Sequence, residues 1–272
     1  MNRHLALLIL ALSLALPLPS QADSDLVLAV SEGTSGGMDH AQVIAKYRGL
    51  ADAIGRGMKT TVNVVFIREF SALEEGLKTS RFAFVIARPS DYPARGMRDH
   101  GYNYVASAKP DGQCYIVVAK GSPLKTLDDI KGKKIVIPEK AAYMSRFCAA
   151  ELRDKGIELG KENVQYVREQ AAVGFYLDNK FAEVGAIASY SGIGKKWEAD
   201  GNRILHKSVA QPYFPLVAYG KIRPDQIQAV QKELLALSNS ESGQELLKRI
   251  GVKEFDTGAE DRMRALLKWM GS

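Results

Sequence analysis

The apolar positions in the first half of the chain alternate between short runs and helical stripes. Runs rich in branched residues predict strands at 26–30, 61–67 and 82–87. Between the first two strands, apolar residues recur every three or four positions, which predicts a helix. That stripe consists of Val43, Ile44, Tyr47, Leu50, Ala51 and Ile54. A shorter helix, with Ser71 as its expected cap, is predicted before the third strand.

The same pattern restarts in the second half of the chain. Strands are predicted at 115–119, 134–137, 164–167, 184–188, 204–208 and 214–219. A helix is predicted at 143–155, and three amphipathic helices follow the last of these strands. Such strand–helix–strand units imply parallel sheets covered by helices on both faces. The sequence therefore predicts an α/β protein with two lobes, each a mostly parallel sheet flanked by helices.

The boundaries of the lobes follow from where the pattern is interrupted. The first lobe is expected to contain residues 23–112, and the second lobe residues 113–208. Residues 209–272 are expected to return to the first lobe, because three helices are too many for a small second lobe to cover.

The N-terminal segment predicts export. A short basic head, Arg3 and His4, precedes an apolar run of 14 residues at positions 5–18, whereas a helix that crosses a bilayer needs about 20 residues. The small residues Ser20 and Ala22 then form a typical cleavage site, so residues 1–22 are predicted to be a signal peptide. The alternative is a short membrane anchor. Cleavage after Ala22 would place the mature chain in the periplasm.

Charge and cysteine content narrow the class of protein. The 272 residues carry a net charge of +6, but no block of five like charges occurs, so no nucleic-acid partner is expected. Cys114 and Cys148 both lie in the exported part, where they form a disulfide or remain two buried thiols. Four scattered histidines and the absence of CxxC and HExxH motifs argue against a metal site or a redox cofactor.

Several segments resemble class II periplasmic substrate-binding proteins of ABC transporters. Residues 115–139, YIVVAKGSPLKTLDDIKGKKIVIPE, are similar to the opening of that family's second lobe. Residues 82–92, FAFVIARPSDY, resemble its strand and loop ending in Tyr, and residues 183–186, EVGA, resemble its EVDA stretch. The most similar branch is the phosphate, phosphite and phosphonate group. The resemblance implies the two-lobed fold, a small anionic solute, a membrane permease as partner, no cofactor and a monomeric state.

The chain also departs from the phosphonate group. Where that group has a Ser-Thr-Ser-Gly run, residues 141–146 read AAYMSR, and its His-Asp pair is replaced by Gln170 and Ala171. Arg88 stands in place of a glycine, and Gly185 in place of an acid. The acids that would hold the ammonium group of an aminophosphonate are thus missing at the matching positions. The resemblance supports the fold and the carrier role more strongly than any particular ligand.

Candidate ligand-binding residues follow the strands, because ligands of open α/β sheets bind beyond the carboxyl ends of the strands. The candidates in the first lobe are Ser31, Glu32, Gly33, Phe70, Arg88, Ser90 and Tyr92. Those in the second lobe are Tyr143, Ser145, Arg146 and Tyr190. Arg88 and Arg146 are expected to grip an anion from opposite sides, and Ser90 is expected to cap a helix. Each candidate also has a non-functional alternative. The loop at 31–37 would be a flexible turn, and Arg88 would form a salt bridge at the rim. Tyr92 would pack in the core, and Arg146 would be solvated on the outer face of its helix.

Two classes of function remain open at this point. The favoured one is a non-enzymatic carrier whose lobes close on the solute. The other is a sensor input or an enzyme on the same fold, since fold alone does not determine function. No GxSxG motif occurs, and the neighbouring Asp39 and His40 are more typical of a helix cap than of a catalytic pair. Replacing Arg88 or Arg146 with alanine is expected to weaken binding without unfolding the protein.

Overall fold

The structure is a computed structural model that describes residues 26–33 and 37–271. The predicted signal peptide and the centre of the glycine-rich loop after the first strand lie outside the described residues. Within the described part, no helix has the length and apolar character needed to cross a membrane.

The first lobe is built on a six-stranded sheet with the strand order β11-β4-β10-β3-β1-β2. Its strands are β1 (Leu26–Ser31), β2 (Val62–Phe66), β3 (Phe84–Ala87), β4 (Tyr102–Gly112), β10 (Gln211–Tyr219) and β11 (Glu254–Asp256). Its helices are α1 (His40–Met58), α2 (Phe70–Lys78), α3 (Asp91–Asp99), α7 (Pro224–Ala236), α8 (Glu241–Ile250) and α9 (Glu260–Met270).

The second lobe is built on a five-stranded sheet with the order β7-β6-β8-β5-β9. Its strands are β5 (Cys114–Val118), β6 (Lys134–Pro138), β7 (Asn163–Val167), β8 (Val184–Ala188) and β9 (Arg203–Lys207). Its helices are α4 (Tyr143–Asp154), α5 (Gln170–Asp178) and α6 (Gly192–Lys196). Three 3-10 turns complete the described part, at Asp128–Ile130, Leu159–Lys161 and Leu237–Asn239.

The two-lobed α/β fold is confirmed, and both sheets are mixed. In the first sheet β1 pairs in parallel with β2 and β3, and in the second β6 pairs in parallel with β7 and β8. The remaining pairs are antiparallel, because β10 and β5 run back along the parallel strands after the chain has crossed between lobes. The parallel strands carry the site, since their carboxyl ends face the other lobe.

The ends of the helices only partly follow the expected capping. Asp39 caps α1 as expected: its carboxylate accepts the backbone N–H of Gln42 at 2.8 Å, and the Gln42 side chain accepts the N–H of Asp39 at 3.1 Å. The expected cap at Ser71 is wrong, because α2 already begins at Phe70. Ser90 does occupy the N-cap position of α3, but its side chain makes no capping hydrogen bond, since the hydroxyl donates instead to the carbonyl of Pro212 at 3.0 Å.

The two segments that cross between the lobes are tied to each other. The side chain of Gln113 donates to the carbonyl of Ser208 at 2.7 Å, and the Ser208 hydroxyl accepts the N–H of Cys114 at 2.8 Å. The hydroxyl of Ser189 accepts the N–H of Gln113 at 3.0 Å. We call these two crossings, which lie around Gln113 between β4 and β5 and around Ser208 between β9 and β10, the hinge.

The disulfide predicted as one of two possibilities is present. Cys114 and Cys148 are joined, with their Cα atoms 5.5 Å apart and no exposed surface on either residue. The bond connects β5, the first strand after the hinge, to α4. It therefore fixes α4 relative to the hinge strand.

Helix α9 packs against elements of both lobes. Its buried face, Met263, Leu266, Leu267 and Met270, belongs to an apolar core that also contains buried residues of α3 and α4. The ring of Trp269 lies 5.3 Å from that of Phe147 on α4, and Arg153 donates to the Trp269 carbonyl at 2.8 Å. The two lobes thus share apolar packing beside the hinge.

Candidate functional site

A small cavity lies between the lobes, where β1 and β3 end opposite the N-termini of α4 and α5. It is lined by Glu32, Gly33, Phe70, Arg88, Pro89, Tyr143, Met144, Gln170 and Tyr190. Its volume is about 10 Å³, which is close to the space that one water molecule needs. Residues from both sheets surround it, so a solute held here would contact both lobes.

Arg88 is the central charged group of this cavity, and it is buried. Its guanidinium forms an ion pair with Glu32 and donates to the carbonyl of Ile250 at 3.0 Å. Glu32 also accepts hydrogen bonds from Lys46 at 2.7 Å and from the Tyr47 hydroxyl at 2.6 Å. Arg88 is therefore neither a free cation nor a rim salt bridge, and its network carries one net positive charge.

The ionisation of Glu32 follows from these contacts. Burial by itself raises the pKa of the Glu32 carboxyl. The charges of Arg88 and Lys46 and the hydrogen bonds together lower it by more than burial raises it, so the pKa falls to about 2. Glu32 therefore stays negative at neutral pH. Because the depressed pKa belongs to the folded state, the stabilisation that it provides is present above the ordinary value of 4.5 and is lost as the pH falls towards 2.

Two tyrosines complete the cavity beside Arg88. Tyr190 stacks on Tyr213 with ring centroids 4.1 Å apart, and burial raises the pKa of Tyr190. Tyr143 is only 4% exposed, and within the described part of the chain its hydroxyl makes no hydrogen bond of ordinary geometry. The side chain of Ser90 interacts with this hydroxyl, but a buried hydroxyl without a well-aligned hydrogen bond is unfavourable.

The structure places several predicted residues away from the cavity. The Ser145 hydroxyl donates to the Pro138 carbonyl at 2.5 Å. Ser31 is buried, and the Ser90 hydroxyl donates its hydrogen bond to the Pro212 carbonyl. Tyr92 stacks on Phe70 with centroids 5.6 Å apart, so it supports the Phe70 ring that does line the cavity.

Arg146 joins the two lobes. It forms an ion pair with the fully buried carboxylate of Asp91 on α3, which also pairs with Arg95 at 2.7 Å. Arg95 in turn lies 3.0 Å from Glu74. The expectation of a solvated or anion-gripping arginine is thus replaced by an interlobe contact.

Replacing Arg146 with alanine should therefore loosen lobe closure. We expect a larger radius of gyration in X-ray scattering, because the Asp91 carboxylate then keeps a partner only within its own lobe. Arg98→Ala is the matched control, since Arg98 pairs with its neighbour Asp99 on the same helix. An unchanged radius in Arg146→Ala would show that this ion pair does not hold the lobes.

A wider opening adjoins the small cavity on the side away from the hinge. It has a volume of about 210 Å³ and shares Gly33 and Phe70 with the cavity. Five charged residues line it: Arg68, Glu69, Glu139, Arg168 and Glu169. Sequence reasoning missed all five, because they come from three separate loops. Their mixed charges make this opening less cationic than the region around Arg88.

Three further residues of the cavity were also missed as ligand contacts. Pro89 follows Arg88, and Met144 lies between two predicted residues, so their proximity in sequence was a usable signal. Gln170 had been noted only as a departure from the family pattern. Its side-chain oxygen accepts the N–H of Ala188 at 2.6 Å and so holds the end of β8.

The described residues contain no cluster of three or more His, Cys, Asp or Glu side chains that could hold a metal ion. The polar groups of the site include those of Arg88, Tyr143 and Tyr190, together with the helix ends around them. Two lobes joined by a hinge, with such a site between them, define a two-lobed solute-binding protein.

Comparison with family models identifies the family. Residues 37–262 match the model of the ABC transporter phosphonate periplasmic substrate-binding protein, and the chain belongs to this family. Members of the family bind small anionic solutes, work with ABC transporter permeases and are not enzymes. A comparison with curated protein sequences found no match.

Several solved structures have a similar fold. XAC2383 from Xanthomonas citri, bound to ATP, superposes with a TM-score of 0.71 and 14% identity over 90% of this chain and 97% of that one. PhnD1 from Prochlorococcus marinus, in complex with methylphosphonate, superposes with a TM-score of 0.70 and 11% identity over 89% of this chain and 96% of that one. The aliphatic sulphonate-binding protein SsuA from Escherichia coli superposes with a TM-score of 0.59 and 18% identity over 90% of this chain and 78% of that one. At these identities the likeness concerns the fold.

Proposed function

We propose that this protein captures a small organic anion of the phosphonate type between its lobes and delivers it to an ABC transporter permease. The observation that carries the proposal is that buried Arg88 and the Tyr143 hydroxyl, which makes no hydrogen bond of ordinary geometry in the described residues, line the same small cavity from different lobes. A guanidinium and a hydroxyl donor on opposite lobes are the groups that an oxyanion needs. The phosphonate in the related PhnD1 structure is an anion of this kind.

The charge around the cavity favours an anion in spite of Glu32. Arg88 and Lys46 outweigh this single carboxylate, and the depressed pKa of Lys46 reflects burial together with the neighbouring positive charge of Arg88. A bound phosphonate would relieve that repulsion.

The volume of the cavity implies that the lobes move. About 10 Å³ does not admit a phosphonate, so the lobes must be farther apart than in this arrangement both when the solute enters and when it is held. A ligand that contacts both lobes then shifts the equilibrium towards the closed state. The Arg146–Asp91 ion pair would form in the same step.

The proposal includes the organisation and location of the mature chain. We propose that residues 1–22 are removed as a signal peptide and that residues 23–112 and 209–272 form the first lobe around residues 113–208. The two sheets support this division, since the second contains only strands β5 to β9. The mature protein would then act as a monomer in the periplasm.

A thermal-shift screen tests the proposed ligand class. Methylphosphonate, phosphite, an aliphatic sulphonate and acetate are added in turn to the purified mature protein. We expect methylphosphonate to give the largest rise in melting temperature, since a ligand that binds only the folded state stabilises it. No shift with any of these anions would contradict the proposal.

Tyr143→Phe should weaken methylphosphonate binding by about tenfold without changing stability, since one hydrogen bond is lost. The variant keeps the ring, and among the described residues the hydroxyl makes no hydrogen bond of ordinary geometry, only an interaction with Ser90. Tyr102→Phe is the control: its hydroxyl is bonded to the Phe82 carbonyl at 2.9 Å, away from the cavity. Calorimetric titration measures the affinities. Equal affinity in Tyr143→Phe and the parent would rule out this contact.

A further inference from the structure

A second, much larger cavity lies on the hinge side of the site. It has a volume of about 480 Å³ and is bordered by hinge residues such as Gln113 and by side chains of both lobes. Tyr190 lines this cavity as well as the small one. The stacked rings of Tyr190 and Tyr213 therefore stand at the boundary between them. We call this space the hinge-side cavity.

The hinge-side cavity is positively charged. Lys195, Lys248 and Lys253 line it, and none of them forms an ion pair within the part of the chain that the structure describes. Asp111 is the acidic residue of its lining, but that carboxylate is already paired with Lys109 at 3.0 Å and with Arg262 at 2.5 Å. The three lysines are exposed to solvent and lie at the border of the cavity, where they are available to a bound anion.

Gly251 creates a space between two cations at the wall of this cavity. A Cβ atom placed on Gly251 would lie 3.6 Å from Lys195 Nζ and 3.8 Å from Arg88 Nη2, with no other contact within 4 Å among the described residues outside its chain neighbours. Lys195 belongs to the second lobe and Arg88 to the first. Burial and the charge of Arg88 lower the pKa of Lys195, which is the repulsion that an anion at this position would relieve.

The rest of the lining is suited to an apolar or aromatic body. Tyr115, Tyr190 and Val252 are among its lining residues. Tyr213 also borders it but is only 2% exposed, so its ring lies behind the wall and its hydroxyl is not accessible to an occupant. The cavity therefore combines solvent-exposed cations with walls that are partly aromatic.

We propose that the hinge-side cavity is a second anion-binding site, adjacent to the solute site and sharing Arg88 and Tyr190 with it, for an organic acid that carries several acidic groups on an apolar or aromatic frame. One acidic group lies beside Gly251 between Lys195 and Arg88, and others reach Lys248 and Lys253. Since both lobes contribute, an occupant holds them in the closed arrangement. Such a ligand modulates lobe opening rather than being transported.

Benzene-1,3,5-tricarboxylate is a suitable probe, and benzoate is its singly charged counterpart. Calorimetric titration of the mature protein should show that the tricarboxylate binds at least about tenfold more tightly than benzoate, because it makes additional charge-assisted contacts. Lys195→Met should weaken tricarboxylate binding by about tenfold. Lys196→Met is the matched control, since this neighbouring lysine on the same helix does not line the cavity, and it should leave the affinity unchanged.

The two sites are separated by a crossed comparison. Tyr143→Phe should weaken methylphosphonate binding and leave tricarboxylate binding unchanged, whereas Lys248→Met should do the reverse. Similar affinities for benzoate and the tricarboxylate, or a Lys195→Met variant that binds like the parent, would overturn the second site. Those results leave the solute site untouched, because its test depends on methylphosphonate alone.

Discussion

Replacing Arg88 with methionine should lower the free energy of unfolding by about 3 kcal/mol as well as abolish anion binding. Removing one partner of a buried ion pair leaves the other charge uncompensated, which typically costs about 3–5 kcal/mol. The lower end applies here, because Glu32 keeps its contacts with Lys46 and Tyr47. This differs from the expectation drawn from the sequence, in which loss of Arg88 affects binding alone.

Urea unfolding of the parent and the variant measures the effect. The control is the double variant Glu32→Gln with Arg88→Met, in which Lys46 loses its counter-ion as well. It should be less stable than the single variant, because Glu32 and Lys46 still neutralise each other when Arg88 alone is replaced. If the single variant were as stable as the parent, the buried ion pair would not contribute to the fold.

Removing the disulfide should destabilise the protein by about 4 kcal/mol. In the chain-entropy model this value follows from the loop that the bond closes, which spans a sequence separation of 34 residues. The double variant Cys114→Ala with Cys148→Ala is compared with the parent by urea unfolding. Alanine keeps both buried positions apolar, so the change reports mainly the loss of the link.

A reducing agent provides the matched control for the disulfide. Dithiothreitol should lower the stability of the parent towards that of the double variant and should leave the double variant unchanged. A parent protein that is equally stable with and without reductant, although its thiols are shown to be reduced, would contradict this role.

The parallel parts of both sheets could be predicted from the sequence, because each strand is a short run of branched residues next to an amphipathic helix. β8, for example, was predicted at 184–188 and is observed as Val184–Ala188. β4 was missed, since it ends in Lys109, Pro110 and Asp111, residues that are typical of a turn. Its antiparallel pairing with β10 depends on a segment more than 100 residues away, which local patterns cannot reveal.

Those residues of the candidate site that lie at the ends of predicted strands and helices could be predicted from the sequence. Arg88, Tyr143 and Tyr190 follow or begin regular elements, and the structure brings them to one cavity. The partners of the charged groups could not be predicted. Asp91, which pairs with Arg146, lies on the other lobe and reads in the sequence as an ordinary first-turn acid.

Lys195 shows why the hinge-side cavity could not be predicted. It lies on a five-residue helix beside a second lysine, and only the fold distinguishes the two. Its proximity to Arg88 depends on how α6 of one lobe meets the turn after α8 of the other. Such a contact leaves no periodic signal in the sequence.

The position of α9 determines where the molecule can bend. This helix packs on α3 and α4, and Arg262 joins it to Asp111 at the hinge. A rotation that preserves these contacts must have its axis close to α9, so atoms near Met263 remain almost stationary. Displacement grows with distance from that axis, so the parts of the lobes farthest from α9 would move most.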